Sequence, residues 1–329
     1  MKILKIDCHS HFGESFFGPK NLVNTYLQNS RKLNIVASII SPAPTPIIRQ
    51  QDLIRTSCLW RKNGEKIIYT ERKYNKKNGS ITELTVKDNP YNKINSQILK
   101  LAKKLNSKNL GPKIFIAPLH HPKLDTINEV KEITSFEECV ALKIHGVSTF
   151  TGPKNIKSNI IDLLKKIDKP VIAHVDFFNK KLTDDIHYAY MLNDPFEWIT
   201  WAKETRIKTV ITHGACLSEK AIKLAAKLKN VMINTAPDLL IAKEKERLCL
   251  KTKDLLFDLF SQLPSEKILF DIDYGWNVKQ RGQWKLLDWK MCERIEKTAK
   301  KIGYITNDLE NIYYKNALQF FNIKGRLRS

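Results

Sequence analysis

The stretch Lys5-Ile6-Asp7-Cys8-His9-Ser10-His11-Phe12-Gly13 places two histidines directly after a short apolar segment. Residues 3–7 predict a β-strand, and side chains two positions apart in extended backbone lie on the same face. We therefore expect His9 and His11 to leave the end of this strand together, where one divalent cation can bind both imidazoles. Alone, the pair is a weak indication, because histidines at this spacing are often exposed or hydrogen-bonded in a core.

Seven further apolar, β-branched segments recur along the chain, separated by lysine-rich segments with helical periodicity. Together with the first they predict eight strands, at residues 3–7, 35–40, 114–118, 139–144, 170–174, 209–212, 231–234 and 268–271. Buried strands that alternate with helices are typical of parallel sheets. Eight such units predict an α/β fold, a closed TIM (β/α)8 barrel, as a single domain over residues 1–329 with its active site at the carboxyl ends of the strands.

The second and third predicted strands are separated by about seventy residues, far more than a barrel unit needs. Residues 50–90 therefore predict a β-hairpin-rich insertion between strands 2 and 3. Asn63-Gly64 and Asn78-Gly79 have the sequence of type I′ turns, and segments of alternating polarity flank them. Because the insertion replaces a strand-to-helix loop, we expect it over the barrel mouth, as either a lid over the substrate or a contact in a homodimer.

The formal net charge is +22 over 329 residues, which can indicate nucleic acid or an acidic ligand. The lysines are spread along the chain, however, and some fall at helical spacing on what would be a solvated face: Lys220, Lys223, Lys227 and Lys229. The six cysteines show no C-x-x-C spacing, and no apolar run is long enough to span a bilayer. We expect a cytoplasmic protein that acts on a small molecule, with no nucleic-acid or membrane partner.

Residue types suited to metal binding or catalysis follow five of the predicted strands. They are His9 and His11 after the first, Lys143 in the fourth, His174 closing the fifth, His213 past the sixth and Asp273 past the eighth. Three imidazole nitrogens and one carboxylate oxygen favour zinc, with manganese or iron next. We therefore predict a divalent metal site with His9, His11, His174 and Asp273 as ligands, and Asp273 as the base for an activated water.

These segments resemble the signatures of the amidohydrolase superfamily, in particular its amidohydrolase-related branch of metal-dependent TIM-barrel hydrolases and nonoxidative decarboxylases. Ile6-Asp7-Cys8-His9-Ser10-His11 is similar to the first-strand signature. Residues 170–174, 210–214 and 268–274 are similar to those of the fifth, sixth and eighth strands, and residues 311–321 to the C-terminal helix. Two positions depart from the pattern: Asp271 stands where a small residue is more common, and Gly275 where proline is.

The resemblance implies a single metal and a catalytic role for His213, which would polarise the substrate's carbonyl group. Lys143 stays open: a neutral lysine forms a carbamate bridging two metals in other branches, whereas a charged one would pair with Asp271 or a substrate carboxylate. Tyr274, Trp276 and Arg281 are weaker candidates for binding a ring and a carboxylate. His120, His121 and His145 also lie at this rim and could bind substrate, but as loop histidines they are expected to be exposed or supporting groups.

The leading hypothesis is a metal-dependent hydrolase that uses activated water on an amide, ester or lactone bond of a small substrate. The alternative is a metal-dependent nonoxidative decarboxylase, a lyase acting on a small aromatic or unsaturated carboxylic acid. A third reading, a basic binding protein without chemistry, is supported only by the charge. The intact set of metal-binding residue types argues against it.

Overall fold

A computed structural model describes residues 3–13, 23–44, 47–49, 51–63, 66–175, 193–235, 254–274, 277–280, 283–286 and 290–327. The strands are β1 Lys5–Phe12, β2 Ile35–Pro42, β3 Ile47–Arg49, β4 Leu53–Asn63, β5 Lys66–Asn75, β6 Ile81–Thr85, β7 Lys113–Ile116, β8 Leu142–His145, β9 Val171–His174, β10 Thr209–Ile211, β11 Val231–Asn234, β12 Ile268–Leu269, β13 Asn277–Gln280 and β14 Gln283–Leu286. The α-helices are α1 Val23–Lys32, α2 Asn92–Lys108, α3 Ile127–Ser135, α4 Gly146–Thr149, α5 Ser158–Ile167, α6 Pro195–Thr205, α7 Glu219–Ala226, α8 Leu255–Gln262, α9 Met291–Ile302, α10 Thr306–Glu310 and α11 Asn316–Phe320. None of the helices in these ranges has the length and apolar character needed to cross a bilayer.

Each of the eight predicted strand positions holds a strand, and these strands form two parallel sheets. One sheet has the order β1-β2-β7 and the other the order β12-β11-β10-β9-β8. Helices lie between most successive strands, so the connections are the crossovers that parallel pairing requires. The prediction of an α/β fold built on parallel strands is confirmed.

Backbone hydrogen bonds join the two sheets at both of their edges. Between β1 and the segment that follows β12 they are Cys8 N to Phe270 O at 3.0 Å, Asp273 N to His9 O at 3.0 Å and His11 N to Tyr274 O at 2.7 Å. Between the β7 and β8 segments they are Val140 N to Ile116 O at 3.0 Å, Lys143 N to Pro118 O at 2.9 Å and His120 N to Lys143 O at 2.8 Å. The segment after β12 is therefore held against β1, and the β7 segment against the β8 segment.

Strand β1 is longer than predicted, because it continues past Asp7 to Phe12. Its second half pairs with β2, with His11 opposite Ser41, after an irregularity between Asp7 and Ser10. The two metal-candidate histidines thus lie within a paired strand rather than beyond its end, so main-chain hydrogen bonds fix their positions.

Alternating residues along the parallel strands belong to two apolar clusters. In β7, Phe115 packs with the cluster that also contains Ala141, directly before β8, whereas Ile114 and Ile116 pack with the cluster that includes the helices. Phe320 and Phe321 of the C-terminal segment join the first cluster. Because neighbouring side chains in a strand face opposite sides, Lys143 faces the same side as Ala141.

The chain between β2 and β7 forms an antiparallel sheet of order β3-β4-β5-β6. The Tyr69 hydroxyl of β5 donates to Thr149 O of α4 at 2.8 Å, and the Tyr69 ring meets His121 edge-on at a centroid distance of 4.5 Å. The sheet therefore contacts the segments that follow β7 and β8. Its role as a lid or as a dimer contact stays a prediction.

The first predicted turn of this sheet lies partly outside the described residues, and the second is longer than predicted. Asn63 pairs with Lys66 across the first turn, but Gly64 lies outside the described residues. The second connection is not the predicted two-residue type I′ turn, since β5 ends at Asn75 and β6 begins at Ile81. Asn75 and Asn78 side chains accept from the backbone N–H groups two residues on, which stabilises a longer loop with Gly79 at φ 68°.

A buried carboxylate ties β1 to the segment after β12. Asp7 Oδ1 accepts from His9 N at 3.3 Å and from Ile272 N at 3.1 Å, and Oδ2 accepts from Ser10 Oγ at 2.5 Å and from Tyr26 OH at 2.6 Å. Burial raises the pKa of Asp7 to about 6, and the donors Ser10 and Tyr26 oppose that rise. Four donors thus offset the cost of burying this group.

Tyr26→Phe is expected to lower the free energy of unfolding by about 1–3 kcal/mol, because it removes a donor from the buried Asp7 carboxylate. Urea denaturation followed by circular dichroism measures this difference. Tyr74→Phe in β5 is the matched control, since Tyr74 is 39% exposed, and a change below about 0.5 kcal/mol is expected there. Equal stability of the Tyr26→Phe variant and the wild type would contradict this account of the network.

Candidate metal centre

His9, His11 and Asp273 bring their ligand atoms together, with all three atoms within 4.8 Å of one another. His11 Nε2 lies 3.6 Å from Asp273 Oδ1, and His9 Nδ1 lies 3.8 Å from the same oxygen. The histidines come from β1 and the aspartate from the segment after β12, which the hydrogen bond from Asp273 N to His9 O holds against β1. The structure thus joins residues from opposite ends of the chain.

The chemistry of this set fits a divalent metal. Ligand bonds of about 2.0–2.2 Å in a tetrahedral zinc site put neighbouring ligand atoms about 3.3–3.5 Å apart, close to the separations of 3.6 and 3.8 Å. His9 Nδ1 is buried and has no hydrogen-bond partner among the described residues. Burial lowers the pKa of His11 to about 3 and that of His9 well below its usual value, so both imidazoles are neutral, the form that binds metals.

Asp273 lies at φ 44°, in the left-handed region that non-glycine residues rarely adopt. His213, which follows β10, lies at φ 53°. Such backbone costs about 1–3 kcal/mol per residue and is concentrated at functional sites. Two of the residues predicted from the sequence therefore occupy the kind of conformation that a site tolerates.

His174 and His213 lie beside the three-residue cluster and contact each other. His213 Nε2 is 3.1 Å from His174 Nδ1, and the His213 ring centroid is 5.9 Å from that of His9. His174 is not among the three residues whose ligand atoms converge. Its role as fourth ligand, and the catalytic role of His213, stay predictions.

His145, which the sequence analysis left out of the site, stacks on His174 with ring centroids 3.9 Å apart and an interplanar angle of 23°. Its Nδ1 accepts from Ser148 N at 3.2 Å, which fixes the ring. Burial lowers the pKa of both stacked histidines well below the usual value. Position at the end of β8 was the only sequence signal for His145, and it did not distinguish this residue from an exposed histidine.

Lys143 is completely buried, and its Nζ lies 2.9 Å from His9 Nε2. The prediction that Lys143 points into the site agrees with this contact. A neutral Lys143 amine would accept from His9 Nε2–H and leave the Nδ1 lone pair for a metal, whereas a charged ammonium would donate to Nε2 and put the proton of the neutral ring on Nδ1, which excludes a metal bond there. The carbamate and the carboxylate-pairing hypotheses for Lys143 both stay predictions.

A second carboxylate, Asp271, approaches His9 with Oδ2 at 3.6 Å from Nδ1. Asn234 Nδ2 donates to Oδ2 at 2.9 Å and Thr235 Oγ1 donates to Oδ1 at 2.6 Å. The sequence analysis missed both donors. The available signal was a polar pair directly after the apolar residues of β11, at the carboxyl end of a buried strand.

The weaker substrate-binding candidates cannot be placed at the site. Tyr274 is buried, and its ring packs against Tyr26 with centroids 5.0 Å apart. It belongs to the apolar cluster that includes the helices. Trp276 and Arg281 lie outside the described residues.

No family model matches the sequence, and no curated protein matches it either. Solved structures with a similar fold do exist. The 5-carboxyvanillate decarboxylase LigW from Sphingomonas paucimobilis has a TM-score of 0.56 at 10% identity, covering 97% of this chain and 99% of that one. A protein assigned as a 2-pyrone-4,6-dicarboxylic acid hydrolase, from Pseudomonas putida, has a TM-score of 0.54 at 10% identity, covering 98% and 99%.

An enamidase described as a member of the amidohydrolase superfamily has a TM-score of 0.53 at 11% identity, covering 98% of this chain and 68% of that one. Identities this low show a shared fold and no particular reaction. The resemblance to the amidohydrolase superfamily that the sequence motifs indicated is confirmed at this level: the chain has the fold of amidohydrolase-superfamily enzymes.

Proposed function

We propose that this protein is a metal-dependent hydrolase of the amidohydrolase superfamily that cleaves an ester or lactone bond of a small, ring-bearing carboxylic acid. The observation that carries the proposal is the convergence of His9, His11 and Asp273, with a buried His9 Nδ1 that has no hydrogen-bond partner among the described residues. The proposed architecture is a closed TIM barrel, supported by hydrogen bonds at both edges between the two parallel sheets.

When bound, a divalent metal supplies a Lewis acid that polarises an oxygen atom and eases the deprotonation of water. In the proposal His9, His11, His174 and Asp273 hold zinc, since three imidazoles and one carboxylate suit that ion. The Asp273 carboxylate would take the proton from water and pass it to the leaving group. His213, oriented by its contact with His174, donates to the carbonyl oxygen that gains negative charge.

The substrate class rests on charge and on the structural neighbours. The buried Lys143 lies beside the centre, and the whole chain carries a net charge of +22, so an anionic substrate is attracted. Two neighbours are named for reactions of carboxylated rings, 2-pyrone-4,6-dicarboxylic acid and 5-carboxyvanillate. A carboxylated lactone is therefore the first substrate to test.

Nonoxidative decarboxylation is the second candidate, because the same residues also suit it. A charged Lys143 beside His9 would hold a carboxylate, and Asp273 or His213 would then protonate the carbon that loses carbon dioxide. LigW, which shares the fold, is named as a decarboxylase.

The metal content of the purified protein tests the centre. We expect about one divalent metal per chain in the wild type and at least about tenfold less in the double variant His11→Ala, Asp273→Ala, which removes two of the three converging ligands. His174→Ala is expected to lose metal as well. Elemental analysis by mass spectrometry measures the content, with His121→Gln as the control because it changes a buried histidine outside the cluster.

About two metals per chain would instead favour the Lys143 carbamate. A wild type that binds no metal even after purification with added zinc, manganese or iron would rule out the proposed centre.

The reaction is tested with two substrates on the metal-loaded wild type. Loss of 2-pyrone-4,6-dicarboxylate absorbance reports lactone hydrolysis, and carbon dioxide release from 5-carboxyvanillate reports decarboxylation. We expect hydrolysis, and we expect Asp273→Asn to lower kcat by about 10²–10⁴-fold because the base is lost. Tyr74→Phe, an exposed change, should keep the wild-type rate. Carbon dioxide release without any hydrolysis would decide for the alternative.

A further inference from the structure

A second pair of polar side chains lies beside the candidate metal centre and has no part in the chemistry described above. Asp125 Oδ2 accepts from His120 Nδ1 at 2.5 Å and from His121 N at 3.0 Å. His120 is 1% exposed and Asp125 is 3% exposed. A carboxylate that accepts from one imidazole nitrogen fixes the ring and its tautomer, and leaves the other nitrogen for a ligand.

Backbone contacts place this pair on the rim of the parallel strands, next to the centre. His120 N donates to Lys143 O at 2.8 Å, and Lys143 Nζ in turn lies 2.9 Å from His9 Nε2. The inserted sheet covers the neighbouring position, because Tyr69 contacts both His121 and Thr149. The pair is therefore linked through the backbone to the strand that carries Lys143, and its neighbour His121 contacts the inserted sheet.

Three buried polar atoms here have no hydrogen-bond partner among the described residues: His120 Nε2, His121 Nε2 and Asp125 Oδ1. Each unsatisfied buried polar atom costs about 1–3 kcal/mol. Most buried polar groups in proteins are satisfied, so a cluster of exceptions calls for a partner. A ligand that brings its own polar atoms provides one.

The two histidines differ in how strongly they point to a ligand. His121 Nδ1 accepts from Leu124 N at 3.4 Å, so the proton of the neutral ring is on Nε2. Burial lowers the pKa of His121 to about 3, and the edge-on Tyr69 ring offers its Nε2–H a weak π contact. For His120 Nε2, neither a hydrogen-bond partner nor a comparable aromatic contact is found among the described residues.

We propose that His120, oriented by Asp125, is a further substrate-binding residue whose Nε2 hydrogen-bonds a carboxylate of the substrate. The inference rests on the proposed function, whose substrate is a carboxylated ring. In the doubly protonated form that this role requires, the ring donates its Nδ1–H to Asp125 and its Nε2–H to the substrate's carboxylate. Charge-assisted hydrogen bonds of this kind are about twice as strong as neutral ones.

Isophthalate is the probe, because it carries two carboxylates on a ring and has no ester bond to hydrolyse. Isothermal titration calorimetry on the metal-loaded protein gives its dissociation constant. We expect His120→Gln to weaken binding about 10–100-fold, and Asp125→Asn about 10-fold, with metal content unchanged. Glu129→Gln is the matched control: it makes the same carboxylate-to-amide change four residues on, in the capping box of α3, and should leave the affinity within about twofold.

A second measurement on the wild type guards against variants that fail to fold. In wild-type protein labelled with ¹⁵N-histidine, addition of isophthalate should shift the NMR resonance of His120 Nε2. That resonance is assigned as the one missing from the spectrum of His120→Asn or His120→Gln, whichever variant folds. Unchanged affinity in His120→Gln, an unmoved Nε2 resonance, or a metal-loaded wild type that does not bind isophthalate would each overturn the inference. The two proposals can fail separately. If the wild type holds no metal but binds isophthalate, and His120→Gln binds it more weakly, this inference is supported and the proposed metal chemistry is contradicted.

Discussion

The Asp7 carboxylate is the contact on which the candidate centre depends. It lies two residues before His9 and accepts from the backbone of both His9 and Ile272. The centre needs His9 and His11 from one end of the chain and Asp273 from the other, and this one group holds both segments. Because the carboxylate has four donors, it remains buried without the penalty of an unsatisfied charge.

Burial and hydrogen bonding also determine the charges of the polar groups around the centre. Burial keeps the imidazoles of His9, His11 and His174 neutral, which suits metal binding and would be costly for charged groups. Asp271 is instead held by hydrogen bonds from Asn234 and Thr235. The polar residues at the strand ends are thus organised in two ways: nitrogen donors are kept uncharged by desolvation, and carboxylates are supported by neutral donors.

Much of the fold could be predicted because its signals are local. Eight β-branched segments that alternate with helical ones predict parallel strands, and the histidine pair of β1 can be read directly from His9-Ser10-His11. The exact ends of strands and loops were not predictable, because they depend on contacts between residues that are distant in sequence or on side-chain hydrogen bonds. That β1 continues to Phe12 depends on pairing with β2. The loop around Gly79 is longer than a two-residue turn, and the side chains of Asn75 and Asn78 stabilise it.

The candidate site shows the same division. Its converging residues lie in the second half of β1 and just after β12, where alternation and strand order predict them. Which rim histidines matter was not predictable, because His145 is positioned by stacking on His174, and His120 by donating its Nδ1–H to Asp125. The stacking follows from strand pairing, since His145 and His174 lie opposite each other in the register of β8 and β9. The contact between His120 and Asp125 lies in the segment after β7, outside the strands, so periodicity does not predict it.

The packing of Phe320 and Phe321 against the inner residues of the strands has a consequence for biosynthesis. The inner cluster is completed by side chains that leave the ribosome hundreds of residues after β1, and β1 itself waits for the segment around Ile272. Until then, apolar strand faces and unpaired edges are exposed on the nascent chain, the condition that favours aggregation. The apolar cluster can therefore be completed only after the C-terminal segment has been synthesised.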